Sequence, residues 1–197
     1  MGYRVRTLGL MLVVATAAVP AAAQTRVDVG AFGGGSFPTQ DAAALYKAGY
    51  TVGGTVRLWS HDWPLGVQFD GQFMTYGRED VNRFDGGLDM WRATITGVLD
   101  LFPETSSVVP FLAFGGGAYE LKAQKPIAGA PDSSRYGSHL VPGVVLGGGF
   151  EYRSYHNRLI PYIDLRMIGL FGSDPRETAY INIIAGLKYV VGGKKPR

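Results

Sequence analysis

Residues along most of this chain alternate between two characters with a period of two. Tyr50, Val52, Gly54, Val56 and Leu58 share one parity, and Thr51, Gly53, Thr55 and Arg57 share the other. Leu65, Val67, Phe69, Gly71 and Phe73 oppose Gly66, Gln68, Asp70, Gln72 and Met74. Trp91, Ala93, Ile95, Gly97, Leu99 and Leu101 oppose Arg92, Thr94, Thr96, Val98 and Asp100. Ile181, Ile183, Ala185, Leu187, Tyr189 and Val191 oppose Tyr180, Asn182, Ile184, Gly186 and Lys188. This period puts successive side chains on opposite faces of a β-strand. It recurs eight times, near 26–36, 49–58, 65–76, 88–101, 109–122, 139–152, 159–171 and 179–191. The seventh run is ragged: Ile163, Leu165 and Met167 oppose Asp164 and Arg166, but Ile160, Ile168 and Leu170 fall on the polar side.

Two architectures suit eight such strands. A soluble lipocalin-like barrel turns its apolar face inward and covers its outside with charge. A membrane barrel does the reverse. Charged residues make up 18% of the chain, against roughly 25% in an average soluble domain. The polar face holds Gly, Thr and Gln with few charges, which is too little for a solvated exterior. The expected fold is therefore all-β, an eight-stranded antiparallel up-and-down transmembrane β-barrel.

The connections agree. Short ones near 59–64, 102–108 and 153–158 alternate with longer ones near 37–48, 77–87 and 123–138 and a medium one at 172–178. Short periplasmic turns and longer extracellular loops are the usual arrangement. Aromatic residues cluster at both strand ends. Trp59, Trp63, Phe102, Phe111, Tyr152 and Tyr155 fall near the short turns, and Phe37, Tyr50, Phe73, Trp91, Tyr119 and Phe171 near the loops. These are expected to form two interfacial girdles.

Residues 1–23 read as a secretory signal peptide: Arg4 and Arg6, an apolar run from Leu8 to Val19, then Ala21-Ala22-Ala23 ahead of Gln24. Without them the formal charge of +3 falls to about +1, which removes the argument for nucleic acid as a partner. The chain has no cysteine. The barrel is expected over 24–191, followed by a short basic periplasmic tail at 192–197.

Three glycine triplets interrupt the strands, in "AFGGG" at 31–35 and 113–117 and in "LGGGFEY" at 146–152. Closing a small barrel needs strong coiling, for which glycine is a usual device. With a loop centred near 130, the triplets of the fifth and sixth strands are expected side by side. A phosphate-binding glycine loop would need a following helix and a lysine, and neither is present.

The segments "VVPFLAFGGGAYEL" at 108–121, "GVVLGGGFEYR" at 143–153 and "IPYIDLRMIG" at 160–169 resemble the small outer-membrane β-barrel family. That group includes the transmembrane domain of outer-membrane protein A and the opacity-like proteins. The resemblance covers the mature chain and implies a Gram-negative-type outer membrane, contact with its lipid, and insertion by the barrel-assembly machinery. Gly186, Tyr189 and Val191 match the glycine and alternating hydrophobic positions of the signal read by that machinery. Two positions depart from it: Ile184 stands where a polar residue is preferred, and "GGKKPR" follows Val191 in place of a terminal aromatic.

The candidate site is a set of inward charges. Asp70, Arg92 and Glu120 are expected to group on the third to fifth strands, and Asp164, Arg166 and Lys188 on the last two. Charges away from water require partners, so a largely plugged lumen is expected, with a narrow pore for ions or small solutes as the alternative. A lipid-modifying enzyme is disfavoured. His61 and His156 fall in predicted periplasmic turns, and His139, next to Ser138, makes no triad by adjacency alone. No metal-ligand spacing and no cofactor motif is present. The loop "AQKPIAGAPDSSRYGS" at 123–138 is the candidate contact for a surface ligand.

Overall fold

A computed structural model describes residues 25–60, 65–77, 87–102, 107–123, 138–154, 157–172 and 179–192. Eight strands, β1 (Thr25–Thr39), β2 (Gly49–Ser60), β3 (Leu65–Tyr76), β4 (Leu88–Asp100), β5 (Val108–Ala123), β6 (His139–Tyr152), β7 (Leu159–Leu170) and β8 (Ala179–Gly192), form a closed barrel in sequence order. Every neighbouring pair is antiparallel, and β1 closes the ring on β8 through a ladder from Val27↔Gly192 to Thr39↔Ala179. Both ends of the barrel chain lie at the short-turn end. The predicted leader at 1–23, the tail beyond Gly192, and Trp63, Tyr155, His61 and His156 lie outside the described residues.

Alternation becomes sidedness. Along β7, buried and exposed residues alternate without a break from Leu159 to Ile168. Ile163, Leu165 and Met167 stand on the outside, as do Leu146, Ile95 and Leu187. The inside carries Thr55, Arg57, Gln68, Asp70, Arg166 and Lys188. This is the apolar-out, polar-in sidedness of a membrane barrel.

The interior is not polar throughout. At the long-loop end, Leu88, Met90, Leu121, Ile168, Leu170 and Tyr180 belong to one buried apolar cluster. A 3₁₀ turn, Gln40–Ala44, follows β1, and its Ala42 joins the same cluster together with Tyr46. Lys47 donates its backbone N–H to the Gly77 carbonyl at 2.8 Å, which ties this segment to the end of β3. The raggedness of β7 has its cause here. Ile168 and Leu170 face inward because the lumen is apolar at that level.

Three of the expected girdle aromatics also face inward. Trp59, Phe111 and Tyr119 are buried inside the barrel. Their strand parity decides it: β5 sends Val109, Phe111, Ala113, Tyr119 and Leu121 to the interior. Tyr50, Trp91, Phe102, Tyr152 and Phe171 do stand outside, and Phe73 stacks on Trp91 with ring centroids 4.7 Å apart.

The glycine triplets of β5 and β6 are offset rather than level: Gly116 pairs with Val144, and Gly148 with Leu112. Their need is one of close approach. A Cβ on Gly115 would lie 2.1 Å from the Ile95 carbonyl oxygen, and one on Gly149 would lie 2.0 Å from that of Ile163. Both point inward, where coiling of the sheet brings the next strand's backbone underneath. Only a residue without a side chain fits there.

Candidate functional site

The polar part of the lumen begins at the short-turn end. Glu151, on β6, is fully buried and accepts from three cations. Arg57 Nη1 lies 2.5 Å from its Oε1, Lys188 Nζ 2.6 Å from the same oxygen, and Arg153 Nη2 2.7 Å from its Oε2. Arg153 also donates to Asp100 at 2.6 Å. Beside them, Arg26 pairs with the buried Asp28 at 2.7 Å.

Aromatic rings surround these cations. The Arg57 guanidinium lies 5.3 Å from the centroids of both Trp59 and Phe111, and Lys188 Nζ lies 4.2 Å from that of Tyr162. Ring faces carry negative potential, so they partly replace the water these cations have lost. This is why Trp59 and Phe111 belong inside.

Gln68 carries the network to mid-height. It accepts from Arg57 Nε at 2.7 Å and donates to Asp70 Oδ1 at 2.9 Å. Arg166 then bridges two carboxylates, with Nη1 to Asp70 Oδ2 at 2.7 Å and Nε to Asp164 Oδ2 at 2.6 Å. From Asp100 to Asp164 the contacts are continuous. Towards the loops, Gln72 bonds Thr51, and Ser36 bonds both Asn182 and the Tyr76 hydroxyl. The apolar cluster begins just beyond.

Asp70, Arg92, Asp164, Arg166 and Lys188 thus all lie on the inner face. Glu120 does not. It is exposed on the outer face, paired across the ladder with Trp91, because β5 turns its odd-numbered residues inward. The two expected groups are also redrawn: Asp70 joins Asp164 and Arg166, and Lys188 joins Glu151. Arg57, Glu151, Arg153 and Asp100 enter the site only with the closed barrel, although parity alone places Arg57 and Asp100 with Thr55 and Thr96 on the polar face. Gly186 faces inward beneath Tyr162, while Tyr189 and Val191 stand on the outer face. Ile184 is buried with Phe32 and Tyr162. His139 opens β6 at the loop end, and loop residues 124–137 lie outside the described residues.

No family model matches the chain, and no curated protein does. Solved structures do. Neisserial surface protein A matches with a TM-score of 0.57 at 12% identity, over 84% of this chain and 96% of that one. The outer-membrane protein OprG of Pseudomonas aeruginosa matches at 0.54 and 11%, over 85% and 97%. The attachment invasion locus protein Ail of Yersinia pestis matches at 0.51 and 15%, over 86% and 99%. The chain has the fold of the small eight-stranded outer-membrane β-barrels.

Proposed function

We propose that this chain is exported by a cleaved signal peptide, inserted into a Gram-negative-type outer membrane by the barrel-assembly machinery, and held there as a non-enzymatic surface protein with a closed lumen. The observation that carries the reading is the stacking of two different barriers inside one narrow barrel. A continuous lattice of buried ion pairs lies in the lower half, and a buried apolar cluster that includes Ala42 of the 3₁₀ turn lies in the upper. Charged solutes meet fixed counter-charges at one level and a dry layer at the next. Contact with other surfaces then falls to the outer loops, above all 123–138. Rigid barrels commonly carry function on such loops. A similar barrel, Ail, has been solved in complex with the heparin analogue sucrose octasulfate, and a surface ligand for this chain is part of the same proposal. Gly186, Tyr189 and Val191 on β8 serve as the assembly signal.

The test is single-channel recording of the refolded mature protein in a planar bilayer, with folding verified by heat-modifiable gel mobility. A folded protein that passes no current supports the closed lumen. Discrete steps that change in Arg166→Ala would replace it with the narrow-pore reading. In parallel, deletion of 126–135 is expected to leave the barrel folded and to abolish cell-surface binding. Unchanged binding would remove the loop from the proposal.

A further inference from the structure

Among the described strand residues that face outward, only Asp89, Glu120 and Lys122 carry charge. All of them sit on β4 and β5, near the long loops. Asp89 and Lys122 face each other across the ladder, and Asp89 also accepts from Thr75 Oγ1 at 2.8 Å. Glu120 lies one outward position deeper, between Trp91 and Leu140. Glu120 and Lys122 are both exposed, and neither has an ion-pair or hydrogen-bond partner among the described residues.

Glu120 stands at the level of the aromatic belt. Phe73 packs on Trp91 there, and Trp91 is exposed on the outer wall. Such rings lie among lipid headgroups, so Glu120 meets headgroups rather than open water. Below it the wall drops into a trough. Ala118, the next outward residue of β5, stands in one ladder row with Ala93, Gly71 and Gly54. Phe73 and Trp91 rim that row on one side, and Phe69 and Ile95 on the other. Nothing lies within 4 Å of a Cβ built on Gly71.

Two acids and one base give this sector a net negative charge, which disfavours a purely anionic headgroup. A headgroup that carries both a primary ammonium and a phosphate satisfies each free group in turn. The ammonium donates to Glu120 in a charge-assisted hydrogen bond. The phosphate accepts from Lys122, whose three donors serve it and Asp89 together. An acyl chain fits the trough below. We propose that this sector of β4 and β5 seats one lipid of that kind, with its amine on Glu120, its phosphate on Lys122 and a chain against Ala93, Ala118 and Gly71. The proposal rests on the membrane reading above and names the lipid chemistry that the wall selects.

The test uses the full mature protein, folded in vesicles of equal parts phosphatidylethanolamine, phosphatidylcholine and phosphatidylglycerol, and reads the retained lipids by native mass spectrometry. The wild type is expected to hold phosphatidylethanolamine over either other lipid by about fivefold, the upper scale of an exposed ion pair. Glu120→Leu is expected to lose that preference and turn towards phosphatidylglycerol, because Lys122 remains. Lys122→Leu, and Ala118→Phe, which fills the trough, are expected to retain less lipid of every kind. None of these changes touches a lumen contact, so all should fold. Equal retention of the three lipids by the wild type, a preference that survives Glu120→Leu, or a dimer that seals this wall without lipid would each overturn the proposal. A protein that gives no heat-modifiable form in any vesicle would overturn the membrane reading and the proposal together.

Discussion

Arg57 and Glu151 stand on β2 and β6, four strands apart in a ring of eight, so their 2.5 Å ion pair spans the barrel from wall to wall. Arg166 and Asp70 do the same between β7 and β3. These are cross-lumen struts rather than ladder neighbours. Removing Glu151 strips the carboxylate from Arg57, Lys188 and one side of Arg153, whereas removing Arg57 leaves Glu151 two cations.

Glu151 is the partner of three cations, so its loss should be the most damaging single change in the lattice. Glu151→Ala is expected to cost about 3–5 kcal/mol, the usual scale for breaking a buried pair. Urea unfolding in vesicles, followed by tryptophan emission, measures it. Adding Arg57→Ala should recover part of the loss, because the orphaned charge goes too. A double variant no better than the single one would show that the strut carries no coupling.

Backbone crowding makes an equally sharp contrast between two glycines. Gly149→Val puts atoms where the Ile163 carbonyl oxygen already sits, and the folded, heat-modifiable form should be lost. Gly71 points outward with nothing within 4 Å of a Cβ. Gly71→Ala should stay within about 0.5 kcal/mol of the parent, as is usual for unconstrained surface positions. Equal folding yields for both would refute the crowding argument.

The outer wall should respond by depth. Leu146 lies near the middle of β6, exposed on the outside. Leu146→Arg is expected to cost about 2–4 kcal/mol, and a cation placed at the strand end much less, about 0–1 kcal/mol. Tyr152→Arg supplies the strand-end comparison. Unfolding in bilayers reads both, and equal penalties would mean that Leu146 is not at the lipid midplane.

The two barriers in the lumen should also separate in conduction. Arg166→Ala alone opens the ionic lattice but leaves Leu88, Met90, Leu121 and Leu170 in place. It is expected to stay silent in planar bilayers. Current through that single variant would mean that the apolar layer does not block.

The strands were readable because alternation needs only local information. Register was less legible: across the long connection between β5 and β6 the glycine triplets fall offset, Gly116 opposite Val144 and Gly148 opposite Leu112. β5 was harder. Its two faces are both apolar, with Phe111 and Ala113 inside and Leu112 and Phe114 outside, so hydropathy could not say which parity faced the lumen. For that reason the sequence alone puts Glu120 inward and Tyr119 outward, the reverse of what the fold does. Carrying the inward parity of Gly115 and Gly117 along the strand would have corrected both. The struts were beyond reach on any local argument. Whether Arg57 meets Glu151 depends on the diameter and stagger of the closed ring, which no single hairpin contains. Pairing each charge with its neighbouring strand sets Asp70 beside Arg92 but cannot reach Arg166 on the opposite wall.

Arg57 and Glu151 are 94 residues apart in the chain, and Arg166 and Asp70 are 96 apart. A half-built sheet holds these charges far from one another, each dressed in water. They come within reach only when the last strand meets the first. The interior therefore registers completion: an open sheet stays wet along its inner face, and the closing of the seam between β1 and β8 is what lets that face dry and lock.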